Sequence, residues 1–185
     1  MILEWAKKRN VKVIYAGSSS KHHEPSDSPY AMSKFLGEEI CKLYKFSFNV
    51  NVEIARFYNV YGPRQIKSGK MATVIGIFEQ KYLQNLPLTI VKPGNQTRRF
   101  THIDDTIKVC FNAWKKNKSR HYSISNKKSY TIIQVAKLFK SKIKLMPSRR
   151  GERYASALTN MNLSNKVYKI FGKHDLRDYI ENIIK

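Results

Sequence analysis

The chain has 185 residues, 42% of them apolar and 12% aromatic, with 35 Lys and Arg against 13 Asp and Glu for a formal charge of +22. That is enough apolar sequence for one domain with a packed core, and it excludes global disorder, which needs low hydrophobicity as well as high charge. No apolar run approaches the roughly 20 residues of a membrane span, residues 1–10 are too polar for a secretion signal, and Cys41 and Cys110 cannot make a disulfide framework. The expectation is a cytoplasmic protein with no membrane partner.

Ile2–Arg9 reads as a short helix with Ile2, Leu3, Trp5 and Ala6 on its apolar side. Val11–Ala16 is a short run rich in β-branched residues, which predicts a buried strand leaving into the small residues Gly17–Ser20. After a polar loop, Ser28 is a natural N-cap and Pro29 suits the first turn of a helix over Tyr30–Tyr44, where Phe35, Leu36, Ile40, Leu43 and Tyr44 recur at helical spacing. Val52–Phe57 is the next predicted strand, followed by a turn-rich loop through Pro63.

The second half predicts a helix over Ala72–Gln84, a strand over Leu88–Val91, a turn at Gly94–Thr97 and a short extended piece at Phe100–Ile103. A helix then runs to Trp114 with Asp104 or Asp105 as its cap, because a carboxylate there accepts unpaired amide N–H groups. A strand over His121–Ile124 and helices over Ile132–Lys140 and Leu176–Ile184 complete the order. Strands alternating with helices predict an α/β protein with a largely parallel sheet.

A charge of +22 favours anionic partners: nucleic acid, a membrane surface or phosphorylated small molecules. Lysine is scattered along the whole chain, and no Cys/His finger spacing or RNA-recognition aromatic motif accompanies it. A dedicated nucleic-acid binder is therefore not the expectation. His22 and His23 are adjacent and point apart, and His102, His121 and His174 show no zinc-site spacing, so no metal is expected.

Three residues converge on chemistry. Ser18 follows a predicted strand, at the carboxyl end where ligand sites of open α/β sheets form. Tyr30 and Lys34 are four apart and share one helix face. A phenol ordinarily ionises near pH 10, and a neighbouring ammonium favours the phenolate, so Lys34 would make Tyr30 a usable acid/base. Ser18 would hydrogen-bond the same substrate hydroxyl.

In order along the chain stand VIYAGSSS, SPYAMSKFLGEE, IARFYNVYGPRQ, RRFTHIDDT, YSISNKKSYTIIQVA and RRGERYASALTNMNLSNKVY. Together they resemble the ordered motifs of the extended short-chain dehydrogenase/reductases, specifically the NAD-dependent nucleotide-sugar epimerases and dehydratases. The resemblance implies the C-terminal part of a Rossmann-type parallel sheet with a small α/β substrate-binding lobe. Residues 1–62 would be the remainder of the NAD-binding domain and 63–185 mainly the substrate lobe, with 98–125 returning to the sheet.

It also implies roles. Ser18 (with Ser19 as fallback), Tyr30 and Lys34 would be catalytic, while Tyr30, Lys34 and Phe57 would bind the cofactor NAD. Asn59, Arg98 and Arg149 would hold the substrate, a nucleotide-diphosphate sugar, with guanidinium forks on phosphate oxygens. The helices over Ile2–Arg9 and Tyr30–Tyr44 would pair in a homodimer.

The pattern also breaks. The family opens with a Gly-x-x-Gly-x-x-Gly turn that cradles the cofactor pyrophosphate, whereas the 8 glycines here are dispersed. The expectation is an epimerase fragment, inactive alone, half of a split enzyme needing a complementing N-terminal half, or a non-catalytic nucleotide-sugar module. HisHis replaces the usual Tyr-Gly, Arg99 stands at a usually acidic position, and Arg150 replaces a proline. Where dehydratases carry acidic residues after the catalytic Ser/Thr, this chain has Ser19, Ser20 and Lys21, which points to epimerase or reductase chemistry over 4,6-dehydration.

Overall fold

A computed structural model describes residues 1–22, 24–69, 71–116, 121–148 and 172–185. Three strands, β1 (Val13–Ser18), β2 (Val52–Phe57) and β7 (His121–Ile124), form a parallel sheet in the order β1-β2-β7. Parallel neighbours need a long crossover, and β1 reaches β2 through a single helix, α2 (Pro29–Phe48). Val52 through Ala55 are all buried, as expected for a central strand covered on both faces.

Alternation along β2 sorts the two faces. Val52 and Ile54 pack with Ala6, Cys41 and Val50 beneath α1 (Ile2–Arg9) and α2. Ala55 packs with Val109, Ala113, Tyr122 and Ile124 beneath α4 (Ile103–Lys116). The approach of α2 to β1 depends on Gly17, where a Cβ would lie 2.7 Å from Glu38 Oε1. Glu38 is itself buried in a fork-to-fork pair with Arg56 of β2, whose Nη2 donates at 2.7 Å.

The remaining elements surround a second core of Ile75, Phe78, Leu88, Ile90, Phe139, Leu176 and Ile180. They are α3 (Val74–Leu83), β4 (Leu88–Val91) paired in parallel with β9 (Ile143–Met146), and β5 (Thr97–Arg99) antiparallel to β8 (Ser129–Thr131). Helices α5 (Ile132–Leu138) and α6 (Leu176–Ile183) close this part. A two-residue pairing of β3 (Val60–Tyr61) with β6 (Thr101–His102) joins the second core to the sheet.

The architecture is α/β with parallel strands, and several boundaries differ from the sequence reading. Strand β1 ends at Ser18 rather than Ala16, because Gly17 and Ser18 pair with Arg56 and Phe57. Helix α2 begins as expected, with Ser28 Oγ accepting the Ala31 N–H at 3.1 Å, but continues to Phe48. No breaker intervenes before Asn49, which takes the left-handed cap conformation at φ 51°. Strands β3, β5, β8 and β9 were not anticipated, and the turn expected at Gly94–Thr97 gives way to β5 from Thr97, since each of these strands is short and defined by partners distant in sequence. Asp104 and Asp105 lie inside the first turn of α4, and the Asp105 carboxylate accepts the backbone N–H of His174 rather than capping the helix.

Candidate active site at the carboxyl edge of the sheet

Ser18 is the last residue of β1, 7% exposed, and directly opposite Phe57 of β2 in the strand register. Its Oγ accepts the Ser20 N–H at 3.2 Å, which fixes the hydroxyl at the start of the loop. Tyr30 stands in the first turn of α2 and is 59% exposed, so its phenol is open to a ligand. One turn later, Lys34 Nζ donates to the Ala16 carbonyl at 3.0 Å and lies 5.9 Å from the Tyr30 ring centroid. A lysine ammonium carries three donors, so this bond to β1 leaves capacity for a ligand.

The same ammonium lies 5.6 Å from the ring of Tyr15. Burial pushes the Tyr15 phenol up, helped by the negative charge of Glu38, so at neutral pH it stays protonated. Tyr58 is also raised, by burial, against the opposing effects of a Ser123 hydrogen bond and the Arg56 charge. Exposure and position therefore single out Tyr30 among the tyrosines around this edge.

Asn59 and Arg98 meet elsewhere. Both line a pocket of about 640 Å³ whose walls include Thr73, Gln96, Phe100 and Met146. Asn59, at φ 41°, donates from Nδ2 to the Arg99 carbonyl at 2.8 Å and so ties the β2–β3 connection to β5. Arg98 Nη1 donates to the Thr97 carbonyl at 2.8 Å. The pocket and the Ser18–Tyr30–Lys34 group are connected through the short chain from Phe57 to Asn59. Arg149 lies outside the described residues.

Gln96 escaped the sequence reading although it is 2% exposed and lines the pocket. Its spacing of two from Arg98 was the available signal, because residues i and i+2 of an extended segment share a side. Phe100 and Met146 gave none, since an apolar pocket wall looks like core until the fold brings it to a cavity.

The model of the NAD dependent epimerase/dehydratase family matches residues 1–125. A putative UDP-glucose 4-epimerase of Methanocaldococcus jannaschii is 32% identical across 92% of this chain, which spans 57% of that protein's length. Among solved structures, the UDP-glucuronic acid 4-epimerase of Bacillus cereus, in complex with UDP-glucuronic acid and NAD, is similar at a TM-score of 0.80 and 26% identity. That match covers 97% of this chain and 62% of the other. The UDP-glucose 4-epimerase of Thermotoga maritima, with UDP-glucose, shares the fold at a TM-score of 0.87 and 23% identity, over 99% of this chain and 65% of that one.

Proposed function

Because this chain belongs to the NAD-dependent epimerase/dehydratase family, we propose that it serves in the epimerisation, at C4, of a nucleotide-diphosphate sugar with NAD as cofactor. The observation that carries the reading is Lys34, which reaches both the Ala16 carbonyl beside Ser18 and the neighbourhood of the Tyr30 ring.

The residues present fit the nicotinamide end of such a cofactor: an ammonium with donors to spare, an exposed phenol, and Phe57 beside Ser18 at the carboxyl edge of parallel strands. NAD supplies reversible hydride transfer when bound. Tyr30 Oη takes the proton from the sugar's C4 hydroxyl and later returns it, and Ser18 Oγ orients that hydroxyl. The Lys34 ammonium, 5.9 Å from the Tyr30 ring, faces the charge that develops there during the transfer. Asn59, Arg98 and Arg149 hold the nucleotide diphosphate, with the apolar wall at Phe100 excluding water from one side of the pocket. These residues carry no Gly-x-x-Gly-x-x-Gly turn, and a complementing N-terminal half would supply the phosphate cradle for the dinucleotide.

A second reading, sugar-nucleotide binding without turnover, draws on the pocket alone, whose walls are supplied by residues 59–147. Calorimetric titration with UDP-glucose, followed by an epimerisation assay with added NAD and a complementing N-terminal half that carries the Gly-rich turn, separates the two. The enzyme reading expects turnover that falls by about 10²–10⁴-fold in Tyr30→Phe while sugar-nucleotide binding persists. Binding that weakens about tenfold or more in Arg98→Ala, with no turnover in any variant, supports the binding module. No binding at all removes both.

The same chain is proposed to form a homodimer through α1 and α2. Met32, Leu36, Ile40 and Leu43 make an exposed apolar stripe along α2, and Trp5 of α1 is 57% exposed.

A further inference from the structure

The structure brings together four side chains that the proposed chemistry does not use. His102 ends β6, Asp104 and Asp105 open α4, and His174 precedes α6, about seventy residues later in the chain. One ligand atom from each of His102, Asp104 and His174 lies within 4.8 Å of the others. The two imidazoles are stacked with centroids 4.6 Å apart. We propose that His102, Asp104 and His174 form a binding site for a divalent transition-metal ion such as Zn²⁺ or Co²⁺, with Asp105 orienting His174.

Three observations carry this. First, His102 Nδ1 and Asp104 Oδ2 are 3.5 Å apart, at the edge of the roughly 3.0–3.5 Å that separates donors each about 2.0–2.2 Å from one ion, and the Asp104 backbone N–H that Nδ1 accepts at 3.3 Å would give way to the ion. Two imidazoles and a carboxylate are a donor set suited to these ions.

Second, the position of His174 is built. Its N–H donates to Asp105 Oδ2 at 3.1 Å, and its carbonyl accepts from Tyr61 Oη at 3.3 Å and Asn126 Nδ2 at 3.0 Å. His174 Nδ1 also lies 3.0 Å from Asp105 Oδ1, so a small rotation of the ring would make the hydrogen bond by which an outer carboxylate orients a metal-ligating histidine.

Third, the set is incomplete without a ligand. Asp105 is 1% exposed, yet among the described residues neither Asp105 Oδ1 nor His174 Nδ1 has a partner with hydrogen-bond geometry, despite that 3.0 Å approach. A buried carboxylate oxygen without a partner is costly, and an ion held by His174 and Asp104 would bring positive charge close to it. Asp104, with its side chain 57% exposed, leaves a path for the ion to enter. The ion would clasp α6 to the β6–α4 junction.

The test uses the full chain, free of any histidine tag, titrated with Co²⁺ and then with Zn²⁺. The expected result is one visible Co²⁺ absorption band per chain that Zn²⁺ abolishes. Zn²⁺ at a hundred times its dissociation constant should raise Tm by roughly 5–10 °C. His174→Gln and Asp104→Asn should lose the band, the second without loss of folding because its side chain is exposed, and a His22→Gln/His23→Gln double variant should keep it. Absence of the band in the native chain, its survival in Asp104→Asn, or its loss in the His22/His23 variant would overturn the proposal.

Discussion

Arg56 and Glu38 show how much one pair settles at the residue scale. Glu38 is fully buried on α2, and Arg56 of β2 meets it with Nε at 2.9 Å and Nη2 at 2.7 Å. Removing one partner strands a buried charge, so Arg56→Met should cost about 3–5 kcal/mol in urea denaturation. Replacing both by Met should cost markedly less, because no unpaired charge remains. Cys41 lies on the same side of the sheet, and burial together with the Glu38 charge pushes its thiol up to about 11. The Cys110 thiol is also raised by burial. Neither is then appreciably ionised at pH 8, so a disulfide exchange reagent should find no fast-reacting thiol in the native protein and two after denaturation.

Contacts between elements decide what intrinsic preference does not. Gly76 sits inside α3, where alanine ordinarily gains up to about 1 kcal/mol of helix propensity. A Cβ there would lie 2.3 Å from the Ile66 carbonyl oxygen, a backbone atom with no rotamer to change. Gly76→Ala should therefore destabilise by about 1–3 kcal/mol in the same assay, and a gain in stability would contradict the close approach. Helix α6 is anchored by Asp175, whose carboxylate accepts from Arg177 N–H at 2.9 Å, from Tyr130 Oη at 2.5 Å and from Lys128 at 3.0 Å. Burial pushes the Asp175 carboxyl up, but these bonds outweigh it and hold the group below its usual value of 3.8. The folded state then binds this proton less readily than the unfolded chain. The stabilisation is complete above the unfolded value and is lost as pH falls through the lower, folded one. Thermal melts from pH 6 down to pH 2 should show an acid-dependent loss that Asp175→Asn reduces.

At the scale of the molecule, apolar surface is left on both faces of the sheet. The α2 stripe of Met32, Leu36, Ile40 and Leu43 is one, and Ile107, Phe111 and Trp114 of α4 are another, with exposures of 55–57% for the latter three. The first is the proposed dimer face. Leu36→Glu with Ile40→Glu should convert a dimer to a monomer by light scattering without lowering sugar-nucleotide affinity, since the pocket is lined from another part of the chain. A native chain that is monomeric at all concentrations would remove the dimer. No helix among the described residues is long and apolar enough to cross a membrane.

The sequence by itself determined the elements whose signals are local. Periodicity and an N-cap defined α2, β-branched runs defined β1 and β2, and a spacing of four put Tyr30 and Lys34 on one helix face. Ordered motifs then carried the family, which the match over residues 1–125 establishes. What only the tertiary structure decided was long-range: β9 beside β4, Arg98 and Gln96 in one pocket with Met146, and His174 against His102 and Asp105. Local preferences act within a few residues, whereas these contacts exist because burying two separate cores forces distant segments together. A histidine read in its own neighbourhood is only a polar residue near a helix. Its partner is chosen by the packing of α6.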